Sequence, residues 1–585
     1  MSSARPQRLR AAPARFDEEQ AALAGLAALA AAERNPAAAI ELSGSSSSDS
    51  EEEEGPAEDE ERKESDRRPP AFPWGTEHSP IRQHAFEPGL RARRSRAFPR
   101  DCTTERDFLR LLLPDAFLDS MVDLTNSYAE QRHDGSRAAA AAAEPEAAAA
   151  EAPPPTTREE IEALLGCLIY MGIVCMDATR DYWAELTRQP FVSDVFPRDR
   201  FLWLLSCLRV SDEGAAAADT DARLAKLHSL ISTLEGTLLS HFYPSCHVCV
   251  DEAMVAFKGR SVMRQHIAKK RSPTGFKVWM LVDCDSNYVC ALDVFTGMKG
   301  RRREEGAAGR VVRRLLDRLQ PLSWHVVAMD GYFSSVQLFE ELLSLGFYAV
   351  GTTRHNRRHF PKELLREVEG CERGEWVWRQ KRGSPLVATS WMDKKSVNLL
   401  STCADAEQST TIERRTGSEL VQMRCPAVLP LYLRYMRGVD VFAQRQSYSK
   451  IGRRSRKWFY SLVWFLIDVA IHNAFILYQQ QHNRSSYDEK DYRKALMQQL
   501  VLLFTARRTK VRAATRAKHG RDSLHRLAHT SEAGTCQECR RPRARGRHSV
   551  RTHWLCEDCN VHLCVPACYN KHIQALSREA PEEEE

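Results

Sequence analysis

Apolar residues recur at intervals of three and four along the first patterned part of the chain. The pattern runs through FLRLLLPDAFLDSMVDLTNSYAEQ, REEIEALLGCLIYMGIV, DRFLWLLSCLRV and ARLAKLHSLISTLEGTLLSHF. This spacing places the apolar side chains on one face of an α-helix. Residues 104–245 are therefore predicted to be helical, and the low-complexity stretch Ala138–Pro155 inside them is interpreted as an inserted linker.

After residue 245 the pattern changes to short β-branched and aromatic runs separated by turn residues, which is typical of strands. The runs follow one another in the order HVCVDEAMVAF, FKVWMLVDCD, YVCALDVFTG, GRVVRRLLDRLQ, HVVAMD, SSVQLFEELLSLG and FYAVGTTR. The fourth and sixth of these have helical spacing. The predicted succession is β-β-β-α-β-α-β, which is that of an α/β core of the ribonuclease-H type.

A long apolar run follows in the C-terminal third of the chain. KWFYSLVWFLIDVAIHNAFILY is apolar enough to resemble a membrane segment, but Asp468, His472 and Asn473 lie in its middle. Polar side chains at these positions favour a buried helix over a membrane span. We therefore expect no membrane partner.

Composition and charge divide the chain further. Its 585 residues predict several domains, and the net charge of +6 conceals an acidic segment at Asp49–Glu64 and a basic one at Arg507–Arg551. Residues 1–103 are rich in Ala, Ser and Glu and are predicted to form a disordered tail. Eleven of the 17 cysteines stand singly in apolar contexts, which indicates reduced thiols in the cytosol or nucleus.

Three aspartates are candidates for a magnesium site. Asp251 ends the first predicted strand and Asp330 ends the fourth, and we expect these strands to lie side by side. Asp440, in MRGVDVF, is the third candidate, on a following helix that a glycine allows to begin after a sharp strand-to-helix turn. Carboxylates can hold two Mg²⁺ ions roughly 4 Å apart in sites that cut phosphodiesters. A single aspartate at a strand end is more often a cap or turn residue.

Six cysteines and a histidine near the C-terminus have the spacing of zinc ligands. They form C-x2-C, C-x2-C, C-x3-C and C-x3-H, with the candidates Cys536, Cys539, Cys556, Cys559, Cys564, Cys568 and His572. Tetrahedral zinc takes four N or S ligands, so these complete one site and most of a second. His548, His553 or His562 is available as the eighth ligand. A cross-brace with two zinc ions is favoured, and a single four-ligand ribbon with spare cysteines is the alternative.

A basic and aromatic segment, KIGRRSRKWFY, is a candidate for DNA binding. Its cations would neutralise phosphates, and its tryptophan could stack on an unpaired base or wedge into a distorted duplex. The alternative is a nuclear-localisation patch followed by a core tryptophan. The candidate residues are Arg453, Arg454, Arg456, Lys457 and Trp458.

Taken together, the motifs resemble those of the piggyBac-family transposases and of the piggyBac transposable element-derived proteins of vertebrates. The resemblance covers about residues 104–573. It lies in TNSYAEQ, MGIVCMDATRDYW, DRFLWLLSCLRVSD, CVDEAMVAFKGR, KRSPTGFKVWML, AMDGYFSSVQLFEEL, VGTTRHNR, RGVDVF, RKWFYSLV and the terminal cysteine run.

The resemblance implies an RNase H-like catalytic core interrupted by an insertion domain and flanked by a split, mostly helical domain for dimerisation and DNA binding. By motif matching, Asp251, Asp330 and Asp440 are its catalytic triad, and Trp458 matches an aromatic residue implicated in handling DNA. The implied division is a tail (1–103), a first helical part (104–245), a first catalytic part (246–354), the insertion (355–426), a last catalytic part (427–450), a second helical part with a basic linker (451–530) and a zinc module (531–576).

The resulting hypothesis is a nuclear, homodimeric transposase that acts on double-stranded DNA. By family analogy, water attacks each end of the element, the freed 3′-hydroxyl forms a hairpin, and after resolution it joins target DNA at TTAA, while the zinc module reads the terminal repeats. Two positions depart from the family pattern. Ala443 stands where a further acid is frequent, and Gly331 where Asn is. The alternative is a domesticated DNA-binding or chromatin-associated protein without nuclease activity.

Overall fold

The chain folds as two units. The first comprises residues 1–156, 168–179 and 202–495, and the second comprises residues 157–167, 180–201 and 496–585. The computed structural model describes residues 74–81, 83–87, 98–99, 101–143, 153–212, 221–268, 270, 272–297, 306–416, 419–452, 455, 457–482, 486–520, 527–540, 550–556, 560–564, 568 and 572.

Among the described residues, ten strands form one mixed sheet in the first unit. They are β1 (Trp74–Gly75), β2 (His247–Ala256), β3 (Gln265–His266), β4 (Thr274–Asp283), β5 (Val289–Val294), β6 (Val326–Met329), β7 (Tyr348–Thr352), β8 (Trp376–Lys381), β9 (Val387–Met392) and β10 (Ser396–Ser401). Their hydrogen-bonded order is β1-β8-β9-β10-β7-β6-β2-β4-β3, and β5 pairs with β4 outside this path. β6 is parallel to both β2 and β7, and the remaining pairs are antiparallel.

The described residues also contain fourteen helices, which include all the segments with predicted helical spacing. They are α1 (Glu105–Leu112), α2 (Asp115–Ala143), α3 (Arg158–Ile173), α4 (Pro190–Ser193), α5 (Arg198–Cys207), α6 (His228–Thr237), α7 (Ala307–Leu316), α8 (Val336–Ser344), α9 (Glu363–Glu369), α10 (Val428–Tyr435), α11 (Gly438–Tyr448), α12 (Trp458–His482), α13 (Glu489–Gly520) and α14 (Gln537–Arg540), with 3₁₀ turns at Thr179–Trp183 and Ala222–Leu227. α2 covers the first residues of the predicted linker Ala138–Pro155, because alanine has the highest helix propensity.

The predicted β-β-β-α-β-α-β succession is present in β2, β4, β5, α7, β6, α8 and β7. β6 is buried at every position, as expected of a parallel strand covered on both faces. α7 contacts β4 and β5, α10 contacts β7 and β10, and α11 contacts β2 and β4. The apolar core therefore surrounds the central strands.

Helix α12 is a core helix of the first unit. It is the one described helix that is long and apolar enough to cross a membrane, with a mean hydropathy of 1.6 in a window that is 94% buried inside the protein. The side-chain amide of Asn473 hydrogen-bonds both the N–H and the carbonyl of Val289, at 2.9 and 2.8 Å. Asp468 accepts from Arg493 at 2.8 Å. The predicted buried helix is confirmed, and its polar residues are paired inside the fold.

The prediction of a disordered tail over residues 1–103 is wrong for the described residues around Trp74–Phe86. Trp74 pairs with Lys381 of β8, and its indole N–H donates to the carbonyl of His359 at 3.0 Å. The ring of His84 stacks on Trp324 with centroids 4.0 Å apart. These aromatic side chains are spaced too far apart to form a periodic signal, so the sequence pattern did not reveal them.

Only part of the predicted insertion 355–426 is separate from the core sheet. β10 pairs with β7, with Leu400 opposite Gly351, so that β8, β9 and β10 extend the core sheet. Because β7 would otherwise end the sheet with unpaired backbone groups, this pairing satisfies them. The remainder of the segment contains α9 and a separate hairpin of β11 (Ser409–Thr416) and β12 (Glu419–Pro426).

The second unit contains the end of α13 and a small three-stranded sheet. α13 continues to Gly520, so the predicted basic linker from Ala506 to Thr530 is helical in its first part. The sheet is formed by β13 (Leu527–Thr535), β14 (Arg551–Cys556) and β15 (Val561–His562), in that order. β13 begins at Leu527, four residues before the predicted start of the zinc module at residue 531.

Candidate active site and metal centre

The two strands that carry Asp251 and Asp330 are neighbours. β2 and β6 are parallel with Val250 opposite Met329, and Asp330 directly follows β6. Three apolar residues before Asp251 and all four residues of β6 are buried. The expected side-by-side strands are confirmed, and both carboxylates lie at the same level of the sheet. The prediction that Asp251 ends its strand is wrong, because β2 continues to Ala256 through its pairing with β4.

A tight turn holds the Asp330 backbone and side chain. Its carbonyl accepts from the N–H of Ser334 at 3.1 Å and from the hydroxyl of Ser334 at 2.9 Å. Its carboxylate accepts from the N–H of Tyr332 at 3.0 Å. A Cβ at Gly351 would lie 2.4 Å from both the Met329 carbonyl and the Ser334 hydroxyl. Gly351 therefore allows β7 to lie close against this turn.

Asp440 reaches the same region from helix α11. A Cβ at Gly438 would lie 2.7 Å from the sulfur of Cys249 on β2 and 3.1 Å from Val282 on β4, so glycine lets the first turn of α11 pack on the sheet. The prediction of a sharp strand-to-helix turn is wrong, because α10 rather than a strand precedes α11. The glycine is required for close packing instead of for the turn. We call Asp251, Asp330 and Asp440 the carboxylate site.

The carboxylates of this site influence one another electrostatically. Burial raises the pKa of Asp251 well above its ordinary value, and the charges of Glu252, Asp330 and Asp440 raise it further, while Lys270 opposes them. Burial and the charge of Glu252 likewise raise the pKa of Asp330, against the N–H of Tyr332 and Lys270. The site thus concentrates negative charge in a poorly solvated place, which favours a cation there.

Lys270 partly compensates this negative charge. Its ammonium nitrogen lies 3.2 Å from Glu252 Oε1 and 4.0 Å from Asp251 Oδ1. Burial lowers the pKa of Lys270, but the carboxylates of Asp251, Glu252 and Asp440 raise it more, so the side chain is held as a cation. A single ammonium does not balance this group of carboxylates.

The donor set fits Mg²⁺, which prefers carboxylate oxygens and retains water ligands. One carboxylate oxygen from each of the three aspartates does not fit within 4.8 Å, whereas one sulfur from each of four cysteines elsewhere in the described chain does. Two ions about 3.5–4 Å apart, each about 2 Å from its ligands, would spread the ligand atoms over a wider distance.

The sequence interpretation missed several residues around this site. Lys277 lies 3.7 Å from Glu252 and 4.5 Å from the ring centroid of Tyr332. The guanidinium of Arg357 donates to the carbonyls of Gly331, at 2.8 Å, and Tyr332. The available signal was the run Lys269–Arg271, of which the structure describes Lys270. Lys277 reaches the site through the pairing of β4 with β2, and Arg357 reaches it through the loop after β7. The local sequence pattern does not reveal either contact.

The predicted DNA-binding segment lies only partly among the described residues. Arg453, Arg454 and Arg456 fall outside them. The indole of Trp458 is half-buried at the start of α12 and meets the ring of Phe276 edge-on at 6.1 Å. Lys457 is exposed, and its ammonium donates to the carbonyl of Ser206 at 3.0 Å. Trp458 therefore contacts the core on one side while part of its surface stays accessible.

Four cysteine sulfurs converge in the second unit. The sulfur atoms of Cys536, Cys539, Cys564 and Cys568, which we call the cysteine cluster, all lie within 4.8 Å of one another. This proximity suits a tetrahedral zinc ion. The first pair joins the third pair and skips Cys556, as a cross-brace requires, whereas a ribbon of consecutive pairs would use Cys556 and Cys559.

The cluster is arranged to stabilise a thiolate at Cys536. Burial raises the pKa of this thiol, but hydrogen bonds to its sulfur from the neighbouring cysteines lower it to about 7. One donor is the N–H of Cys564, which lies 3.3 Å from the Cys536 sulfur. Because metal ligands must be deprotonated, backbone donors of this kind prepare the cluster for a cation.

The remaining zinc candidates are only partly described. Cys556 is buried at the end of β14 and does not belong to the cysteine cluster, and Cys559 lies outside the described residues. Of the candidate eighth ligands, His548 lies outside the described residues, His553 hydrogen-bonds the carbonyl of Thr530 at 3.1 Å, and His562 packs against Gly534 with its Nδ1 buried and unbonded. The second zinc site stays a prediction.

Comparison with known proteins identifies the family of this chain. A family profile described as "Transposase IS4" matches residues 104–475, which is more than half of the chain. Human PiggyBac transposable element-derived protein 3 is 26% identical over 66% of this chain. The chain belongs to the piggyBac family of transposases. Human PiggyBac transposable element-derived protein 2 is also 26% identical, over 55% of the chain.

The alignments cover 62% and 55% of the lengths of these two piggyBac relatives, so the chain spans less than two thirds of either. A cryo-EM structure of a piggyBac transposase synaptic complex with hairpin DNA has a TM-score of 0.60 at 23% identity, covering 70% of this chain and 83% of that one. This neighbour supports the fold. The segment matched by the family profile contains the whole carboxylate site and ends before the cysteine cluster.

Proposed function

We propose that this protein is a DNA transposase that cleaves DNA and transfers strands with the aid of Mg²⁺, by cut-and-paste at TTAA sites. Asp251, Asp330 and Asp440 would be its catalytic residues, and β5, β4, β2, β6 and β7 an RNase H-like core. The observation that carries the proposal is the convergence of three carboxylates from β2, β6 and α11. Their charges act on one another within the segment that defines the piggyBac family.

In the proposed mechanism the fold supplies position and charge. The middle of β2 and the end of β6 hold Asp251 and Asp330 at one level, and α11 adds Asp440 from the side. Mg²⁺ bound there would activate the attacking oxygen and stabilise the leaving one. A water molecule would first attack the scissile phosphodiester, so that its oxygen joins the 5′-phosphate and the 3′-oxygen leaves as a hydroxyl on the cut strand. That 3′-hydroxyl would later attack a phosphodiester of another strand, and the 3′-oxygen of the attacked bond would leave in turn. Lys270 is placed to orient a phosphate beside the carboxylates, because its ammonium already lies between Asp251 and Glu252.

The proposal includes the partners of the protein. The substrate would be double-stranded DNA carrying terminal repeats, bound by a homodimer in the nucleus. The cysteine cluster with a zinc ion would form one half of a cross-brace that reads those repeats, and Cys556, Cys559 and His572 would contribute to a second zinc site. Lys457 and Trp458, with the arginines Arg453, Arg454 and Arg456, would hold DNA near the cut.

A second function is favoured by one observation. Ala443 lies on α11, one turn after Asp440, at the position where the family often carries a further acid. A protein that retains the fold and the DNA contacts but has lost a carboxylate can serve as a domesticated DNA-binding or chromatin-associated protein without nuclease activity. The human relatives are named as transposable element-derived proteins, which is compatible with either function.

The decisive experiment is a cleavage assay with the full-length protein. Duplexes carrying candidate terminal repeats flanked by TTAA are incubated with Mg²⁺ and in parallel with Ca²⁺, which occupies carboxylate sites without supporting the same chemistry. We expect breaks at the repeat ends with Mg²⁺ and binding alone with Ca²⁺. Binding without breaks under both conditions, on repeats that the protein selects, would support the function without nuclease.

A further inference from the structure

An extended segment outside both metal sites lies along the first unit. We call its described residues, 74–81 and 83–87, the strap. β1 at its start pairs with β8. Near its end, the N–H of His84 donates to the hydroxyl of Tyr348 on β7 at 2.7 Å, and the ring of His84 stacks on Trp324. The strap is therefore bound to the first unit at both ends.

The middle of the strap contains a sequence that protein kinases recognise. The chain has three Ser-Pro pairs, which begin at Ser79, Ser272 and Ser384, and no Thr-Pro pair. Ser79 stands in HSPIR with Arg82 three residues after it, and the other two pairs have no cation at that position. Kinases of the proline-directed class accept proline directly after the phosphorylated residue, because proline has no N–H to leave unsatisfied, and their anionic groups pair with a cation two residues beyond it.

The conformation of the strap also suits such a kinase. Proline restricts the residue before it to an extended conformation, and residues 77–81 form no helix or strand. The side chains of Ser79 and Pro80 are exposed. Ser384 lies instead in the turn between β8 and β9, where its hydroxyl accepts from the N–H of Leu386 at 3.3 Å. Both the sequence and the structure therefore select Ser79 among the Ser-Pro pairs.

The buried side chain of Gln380 holds the backbone of Ser79 in place. Its Oε1 accepts from the N–H of Ser79 at 2.9 Å, and its Nε2 donates to the carbonyl of Ser79 at 3.0 Å. The backbone of Gln380 pairs with Gly75 of β1. A kinase encloses an extended substrate segment on both sides of the hydroxyl. Phosphorylation of Ser79 therefore requires that these bonds break and that the strap leaves β8.

Carboxylates lie beside the residue that precedes Ser79. The Nε2 of His78 is 3.0 Å from Asp405, and its Nδ1 is 3.9 Å from Glu407, whereas the cation Arg382 lies against β1 instead. A phosphate carries about −1.5 to −2 charges at neutral pH and is repelled by carboxylates. Neighbouring residues of an extended chain are about 3.3 Å apart, well within the screening length of about 8 Å at physiological salt. A phosphate on Ser79 would therefore oppose the return of the strap to this place.

We propose that Ser79 is a phosphorylation site for a proline-directed protein kinase and that its phosphate keeps the strap released from β8. The hydroxyl oxygen of Ser79 attacks the γ-phosphorus of ATP, the bond from that phosphorus to ADP breaks, and the hydroxyl proton passes to the catalytic aspartate of the kinase. The added charge shifts the equilibrium between bound and released strap toward the released form. The proposal is independent of the proposed DNA chemistry, because it requires neither DNA nor an ion at the carboxylate site.

The test incubates the full-length protein with ATP, Mg²⁺ and a cyclin-dependent kinase. Mass spectrometry maps the phosphate, and hydrogen–deuterium exchange measures strap release. We expect phosphate on Ser79 and not on Ser384, and exchange of the strap amides about tenfold faster or more after phosphorylation, since the released strap loses its hydrogen bonds. Ser79→Ala should abolish both effects, whereas the matched control Ser272→Ala should retain both.

Gln380→Ala tests whether the strap must leave β8 before the kinase acts. Losing the two hydrogen bonds to Ser79 should speed its phosphorylation by roughly tenfold, because the rate follows the population of the released form. A rate equal to that of the wild type would overturn this requirement and the proposal with it. So would a kinase reaction that leaves Ser79 unmodified in both proteins, or a phosphate on Ser79 that leaves the exchange of the strap amides unchanged.

Discussion

The carboxylate site and the cysteine cluster both suit metal ions, but they depend on the fold in opposite ways. Asp251 lies within β2 and Asp330 directly follows β6, and most apolar residues of both strands are buried in the core of a ten-stranded sheet. In the described part of residues 527–572, Leu563 is the only buried apolar side chain that is not a cysteine. The large sheet can form without a metal and then place the carboxylates, whereas the small module has too little core to fold unaided.

The two regions differ in whether their metal ligands oppose or favour folding. At the carboxylate site, burial and mutual repulsion raise the pKa values of Asp251 and Asp330, so the metal-free site opposes folding at neutral pH. At the cysteine cluster, a bound metal would supply most of the folding free energy. Replacing a carboxylate of the carboxylate site should therefore stabilise the metal-free protein. Replacing a cysteine of the cysteine cluster should instead unfold the module that a bound metal stabilises.

The largest effect is expected at the cysteine cluster. Cys564→Ser in the full-length chain should unfold residues 527–572, because structural zinc contributes about 10 kcal/mol or more to small modules of this kind. Zinc content and limited proteolysis measure the result, with Cys371→Ser in the first unit as the control. Two zinc ions per wild-type chain are expected, and one ion would leave the cysteine cluster as a single zinc site without a second one. If residues 527–572 stay protected from the protease after zinc is chelated, the module folds without metal. It would then not differ from the large sheet in its need for a metal.

The next effect concerns catalysis at the carboxylate site. Asp251→Asn, Asp330→Asn and Asp440→Asn should each reduce Mg²⁺-dependent cleavage by roughly 10³-fold or more, because an amide lacks the charge that holds the ion. DNA affinity should stay within about twofold, since phosphate contacts come from the cations. Asp317→Asn, at an exposed position after α7, is the matched control. If Asp440→Asn cleaves at the wild-type rate, the third ligand has been assigned to the wrong residue.

A smaller effect is expected on DNA selectivity. A chain that ends after Gly520 lacks the three-stranded sheet and the cysteine cluster but retains the first unit. Discrimination between terminal-repeat and random DNA should fall on the order of 10²-fold, while weak, salt-sensitive binding persists. Competition binding at two salt concentrations measures both the discrimination between the two DNAs and the salt dependence of the remaining binding. Selectivity that survives the truncation would transfer recognition to the first unit.

The smallest effect tests the stability of the metal-free carboxylate site. Because the folded pKa of Asp251 is raised, the folded state binds more protons than the unfolded state, and stability falls as the pH rises from about the ordinary value of 3.8 through the folded pKa. Asp251→Asn should therefore raise Tm at neutral pH without Mg²⁺ by roughly a few degrees. Thermal unfolding at pH 5 and pH 8, with Asp317→Asn alongside, checks the sign. A lower Tm for Asp251→Asn would mean that its carboxylate is stabilised by Lys270 more than it is destabilised by burial.

Local pattern was sufficient for the central strands and for the pairing of Asp251 with Asp330. The buried runs of β2 and β6 are continuous in the sequence, and their position in the succession determines that they are neighbours. The spacing of the cysteines likewise indicated a metal cluster, although it left the partners of Cys536 open. These features depend on residues that are close in sequence or on a well-defined strand order.

Contacts between distant segments were not predictable in this way. The hairpin strands β8–β10 joined the core sheet through a pairing of Leu400 with Gly351 that no periodicity specifies. Arg357 reached the turn after Asp330 because the loop following β7 folds back on it. Helix α13 extended through a stretch that its charge made resemble a linker, since Arg, Lys and Ala all have high helix propensity.

The short strand β1 limits aggregation between copies of the protein, because it covers an edge of the large sheet. Without β1, β8 would be the last strand at one end of the large sheet. β1 covers it by pairing with Gln380 and Lys381. The side chain of Gln380 also accepts from the N–H of Ser79 at 2.9 Å. An uncovered strand is a template for edge-to-edge aggregation, and short covers and charged residues such as Arg379 and Lys381 suppress it. Proteolytic loss of the chain up to residue 87 would therefore remove β1, keep the other nine strands of the sheet and leave the sheet prone to polymerise through β8.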